Sequence, residues 1–147
     1  KEDQYARSEI DRISQKIDKQ VQILEEKGKE SLKNGDEALS KALDKKNKRI
    51  NLQEDLEQAS KEYYKSVQYG NTDGMMALGN MYENHQLGDN TEITGLAPKQ
   101  STHENLSKAH ELYTQAYKAG HQLARQDIDR VSQQMQEQQK FLKKKRN

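Results

Sequence analysis

Apolar positions fall into two regimes along the chain. Over residues 1–33 they are sparse. Ile10, Ile13, Ile17, Val21 and Leu24 follow one another at mostly three- and four-residue steps. That spacing predicts one long polar helix with a narrow apolar stripe. Asn34-Gly35-Asp36 reads as a stop, and Asn34 with Glu37 three residues on reads as a capping box. A second helix is therefore expected from about residue 37, marked only by Leu39, Leu43 and Ile50. Asn51 with Glu54 repeats the capping pattern and places a further break near residue 50. Two uses of the stripe are open: packing back on the rest of the chain, or a coiled coil with another chain.

From Asp55 onward, small, aromatic and glycine residues recur at fixed offsets. Ala59, Tyr63, Ser66 and Gly70 return 50 residues later as Ala109, Tyr113, Ala116 and Gly120. Such an internal repeat is the signature of a stacked architecture. Ala59, Tyr63 and Ser66 lie four and three residues apart, so they share one helix face. Small residues on that face admit a second helix at close range. Gly70 and Gly120 suit the left-handed position that ends a helix. A partner helix is expected over residues 72–84, with Met75, Leu78 and Tyr82 inward and Gly79 at a close backbone approach. Its counterpart is expected over 122–138, with Leu123, Ala124, Ile128, Val131 and Met135.

Composition narrows this picture. Hydrophobic residues make up 31% and charged residues 33% of the 147 positions. A core must therefore be concentrated, and the apolar residues between Leu56 and Met135 are where it is expected. One proline and no β-branched runs favour an all-α fold. Lys and Arg (25) nearly balance Asp and Glu (24), which argues against a field suited to nucleic acid or anionic lipid. No run approaches the ~20 apolar residues of a spanning helix. With no cysteine, disulfide and thiol chemistry are excluded.

The run from Tyr63 to Tyr82 resembles the Sel-one-like repeat, a relative of the tetratricopeptide repeat. It carries Tyr63-Tyr64, Gly70, and Leu78-Gly79 with Tyr82 three residues beyond the glycine. The stretch Lys108-Ala109-His110-Glu111-Leu112-Tyr113 with Ala119-Gly120-His121 resembles the same first helix. The resemblance covers roughly residues 55–131. Three departures stand out: about 14 residues inserted around 88–102; Ile128-Asp129 in place of Leu-Gly, which suits a terminal cap; and only two units, which leaves the stack to be completed by the amino-terminal helices or by a second copy. The resemblance implies antiparallel helix pairs in a tetratricopeptide-like solenoid. Units are expected at 55–84 and 105–134, after a helical extension over 1–50 (a coiled coil or a hairpin) and before a basic tail at 139–147. The whole repeat module would span 51–138.

The sequence holds no P-loop, dinucleotide fingerprint or His-Glu-x-x-His. His85, His103, His110 and His121 lack ligand spacing. No enzyme, metal or cofactor is expected. The resemblance instead implies a non-catalytic module that binds a protein or peptide through its groove. Asp73, Met76, Asn80, Glu83 and Asn84 would line that groove from one helix, with Gln126 and Arg130 from the last. Asn80 holds the place where some tetratricopeptide domains bond a peptide backbone. Ile93 and Leu96 in the insertion are candidates for a docking loop. The tail Lys143-Lys144-Lys145-Arg146 reads as a solvated helix end, where cations are favourable. An alternative is an envelope-located immunity or inhibitor protein that blocks an effector enzyme. A chain opening on Lys1 is expected of a processed product. The family is also frequent among exported bacterial proteins, so a periplasmic home is expected, with the cytoplasm as the other option. Oligomerisation through the amino-terminal helix is a further expectation.

Overall fold

The computed structural model describes residues 2–48, 53–84 and 102–146. Ile93, Leu96 and His85 lie outside them. The fold is all-α. Five helices are described: α1 Glu2–Asn47, α2 Gln53–Gln68, α3 Thr72–Glu83, α4 Thr102–Lys118 and α5 Ala124–Arg146. No helix among the described residues is long and apolar enough to cross a membrane.

α1 corrects the expected break. It runs through Asn34, Gly35 and Asp36 as 46 continuous residues, about 69 Å long at 1.5 Å per residue. The glycine serves packing instead. A Cβ built on Gly35 would stand 2.6 Å from the Tyr63 ring, so only glycine lets this buried ring lie on α1. Asn34 and Asp36 remain exposed on the turns beside it. Capping chemistry is local, and here tertiary contact overrides it. The basic tail is the exposed end of a helix: α5 runs through it to Arg146, beyond the expected end near residue 138.

Small residues on α1 at positions 28, 31, 35, 38 and 42 are all buried. They step by three and four and make one face, and α2 packs against it in antiparallel sense. Gly28 meets Tyr69 and Asn71 at one end of this contact, and Lys45 pairs with Asp55 at 2.6 Å at the other. The Ser66 hydroxyl donates to the Gly28 carbonyl at 2.9 Å. Leu32, Ala38, Leu39 and Ala42 of α1 therefore share the core of Leu56, Ala59, Tyr63, Leu78 and Met81.

The remaining helices pack mainly on their chain neighbours, α2 on α3, α3 on α4 and α4 on α5, with a lesser α1–α3 contact. α4 and α5 bury Leu106, Ala109, Tyr113 and Val131 together. Met75, Ala116 and Ala124 close the α3–α4–α5 junction. Both expected glycine turns form. Gly70 and Gly120 have φ of 81° and 106°. Asn71 N–H donates to Ser66 C=O and His121 N–H to Ala116 C=O, each at 3.0 Å. These are six-to-one closures of a left-handed helix end. In the first turn, Asn71 also accepts from Gly74 N–H and starts α3. His121 stands in that place in the second turn, and α5 opens instead on bonds from Ala124 and Arg125 to His121 and Gln122.

Candidate functional site

The two repeat tyrosines organise the polar side of the fold. Tyr63 and Tyr113 are 1% and 0% exposed, yet each hydroxyl reaches a polar acceptor. Tyr63 donates to Asp36 Oδ1 at 2.6 Å and Tyr113 to Asn80 Oδ1 at 2.7 Å. Each ring lies over the glycine just before its acceptor: Gly35 under Tyr63, Gly79 under Tyr113, where an added Cβ would meet the ring at 2.7 Å. Gly35-Asp36 and Gly79-Asn80 are thus one device used twice. The device thus reaches into α1, outside the module expected over 51–138. A glycine followed by a carboxylate or amide on a preceding helix is the signal that could have found it.

Around Asn80 the structure gathers several of the expected binding residues. Arg130 of α5 reaches back to Glu83 of α3, with Nη2 at 2.6 Å from Oε1 and Nε at 3.2 Å. It also pairs with Asp127 at 2.7 Å. Glu83 accepts a longer 3.3 Å bond from the Tyr113 hydroxyl. Glu83 is mostly sheltered and Arg130 about half exposed. These bonds hold the Arg130 guanidinium firmly protonated, first through Glu83 and then against the opposing cost of burial. At the other end of the same α3–α5 seam, His121 Nε2 stands 3.6 Å from Asp73 Oδ1. Met76 lies half-buried between, packed against the α4–α5 core.

Asp73, Met76, Asn80, Glu83 and Arg130 therefore lie along one seam. Gln126 is exposed on α5. Asn84 sits at the C-terminal cap of α3, its N–H bonded to the Asn80 carbonyl at 2.9 Å. Arg130 already satisfies Glu83 and Asp127, so a ligand would meet the three as a fixed unit with one net negative charge. Asp73 and Asn80 offer the more available polar groups. Two open surface depressions lie on other helices, one at Glu54, Asp55 and Lys61 of α2, the other at His110, Thr114 and Lys118 of α4. Among the described residues no group of three His, Asp or Glu side chains could hold a metal ion.

Burial raises the ionisation of Tyr63 above its ordinary value of 10.0, and the Asp36 hydrogen bond adds to it. Burial does the same for Tyr113, reinforced by the Glu83 charge. In both, the folded state holds the proton more tightly than the unfolded state. The resulting stability is intact below pH 10 and is lost as pH rises from there toward the folded values. Chemical unfolding at pH 9, 10 and 11 is expected to show a steepening loss, up to about 1.4 kcal/mol per tyrosine per pH unit. Tyr63→Phe should remove one share of it. An unchanged alkaline slope in that variant contradicts the assignment.

Comparison with known proteins adds no identity: no family model, no curated protein and no solved structure matches the chain.

Proposed function

We propose that this chain is a non-catalytic interaction module, built from tetratricopeptide-like helix pairs of the Sel-one-like kind, that holds a protein or peptide segment across α3 and its neighbours. The observation that carries this reading is the position of α3. It contacts α1 on one side and is bonded to α5 on the other through Glu83 and Arg130, while α2 and α4 pack against it. Three helices then lie side by side and present a face formed from distant parts of the chain. Residues on its central helix, Asp73 and Asn80, stay exposed. The order of contacts and the duplicated glycine–tyrosine device support a solenoid made of similar units. Asp129 on α5, with its side chain 68% exposed, supports a stack that closes there, because it occupies the place that Gly79 opens for Tyr113 in the preceding unit.

Asn80→Ala tests the reading. Tyr113 keeps Glu83 as a second acceptor, so the variant should fold and lose no more than about 1 kcal/mol. Partner captured on the immobilised chain from native cells, identified by mass spectrometry and then titrated, should bind the variant at least tenfold more weakly. Equal affinity for both chains refutes a groove centred on Asn80.

A further inference from the structure

Beyond that reading, the amino-terminal half of α1 carries an unpartnered face. Positions 17, 21, 24, 28, 31, 35, 38 and 42 form a single seam with alternating steps of four and three. Positions 28–42 of the seam are buried under α2. At the level of Gly28, Gly70 turns the chain away into α3, and the seam continues bare. On this arm its residues change from small to large: Ile17, Val21 and Leu24, with Ile10 and Ile13 beyond them. These five are 53%, 48%, 45%, 62% and 49% exposed. Among the described residues, none of the five belongs to a core cluster.

The change of size says what kind of surface covers the arm. Glycine and alanine bring α2 close. Isoleucine, valine and leucine at heptad positions fit a helix at coiled-coil distance. An isolated polar helix with one narrow stripe draws little stability from itself, so the arm gains from a partner. Its charges are mixed. Residues 2–27 carry Arg7, Arg12, Lys16, Lys19 and Lys27 against seven acids, so neither an anionic lipid surface nor a strongly charged partner is selected, and two copies repel little.

We propose that the arm pairs antiparallel with the same arm of a second copy. The direction follows from the fold. α2 occupies the seam from Gly28 onward, so a parallel, in-register partner would have to leave α1 at that level. In the antiparallel arrangement each partner arm runs in the same direction as α2 and takes over the seam where α2 ends. The stripe between Ile10 and Leu24 is then covered along its whole length, and the contact is isologous, the commonest symmetry of soluble dimers.

The test uses the full chain. Light scattering after size exclusion should give about 34 kDa, twice the 17.0 kDa chain, with a fall toward the single-chain mass on dilution. The triple variant Ile10→Glu, Ile17→Glu, Leu24→Glu should hold the single-chain mass at all concentrations. Its unfolding midpoint at low concentration should match the parent, since these side chains touch no other described element. Because the chain has no cysteine, Gln4→Cys and Gln15→Cys can each carry one spin label. Antiparallel pairing centred on Ile17 brings the Gln15 labels close and holds the Gln4 labels apart by about 39 Å, given 1.5 Å per residue. A single-chain mass throughout overturns the proposal, and flotation of that monomer with anionic vesicles assigns the stripe to lipid. A dimer that survives the triple variant also overturns it, and close Gln4 labels overturn the antiparallel arrangement.

Discussion

Replacing Tyr113 by alanine is expected to cost about 3–5 kcal/mol, the range for removing a large buried aromatic. Few single changes in this chain should cost more. The ring is fully buried between α3 and α5, over Gly79, and its hydroxyl holds Asn80. Removal leaves a cavity at the junction of three helices and takes away the bond that orients the candidate groove. Domains of this size have a total stability of about 5–15 kcal/mol, so the variant should sit close to unfolding at room temperature. Tyr113→Phe keeps the ring and should lose only about 1 kcal/mol. Tyr64→Ala is the control, because Tyr64 is 57% exposed and should stay within about 0.5 kcal/mol of the parent. Urea unfolding followed by far-ultraviolet circular dichroism measures all three. If Tyr113→Ala and Tyr64→Ala shift the midpoint equally, Tyr113 is not the core residue described.

Gly35→Val separates a helix stop from a helix contact. At the first position of a helix restarted by an Asn34 cap, valine would keep ordinary helical backbone, point into solvent and change little. In a continuous α1 its side chain is driven into Tyr63, whose ring stands 2.6 Å from the built Cβ. Overpacking of this kind costs about 1–3 kcal/mol, despite the roughly 0.5–1 kcal/mol by which glycine disfavours a helix interior. A second substitution makes the cause visible. Tyr63→Leu shortens the opposing side chain, so the double variant should be more stable than the sum of the two single losses by about 1 kcal/mol or more. Strict additivity would mean that Gly35 and Tyr63 do not touch.

The groove and the arm answer different questions. Asn80 tests the proposed binding face, and Ile17 the proposed pairing of two copies. The two sets lie on different parts of the fold, so a change in one readout leaves the other interpretable. A paired molecule would offer two grooves, and binding to a partner with repeated segments would then gain from both at once.

The helical class, the two glycine turns and the inward faces of α2, α3 and α4 were legible in the chain itself. Their cause is local: side-chain spacing sets the buried face, and only a residue tolerant of positive φ ends a helix as Gly70 and Gly120 do. The candidates Asp73, Asn80 and Glu83 could be placed on one helix for the same reason. Their neighbours could not. Arg130 lies 47 residues from the carboxylate it grips, and Asp36 lies 27 residues from the hydroxyl it accepts. No local spacing encodes those meetings. The same holds for Asn34-Gly35-Asp36, where a stop signal and a packing glycine have identical letters. Only the approach of Tyr63 decides between them, because a buried aromatic ring needs a face without a Cβ more than the backbone needs a cap. The stripe from Ile10 to Leu24 was visible as an amphipathic pattern, but its exposure was not: periodicity shows which side of a helix is apolar, and only the point where α2 ends shows how much of that side the other described helices leave uncovered.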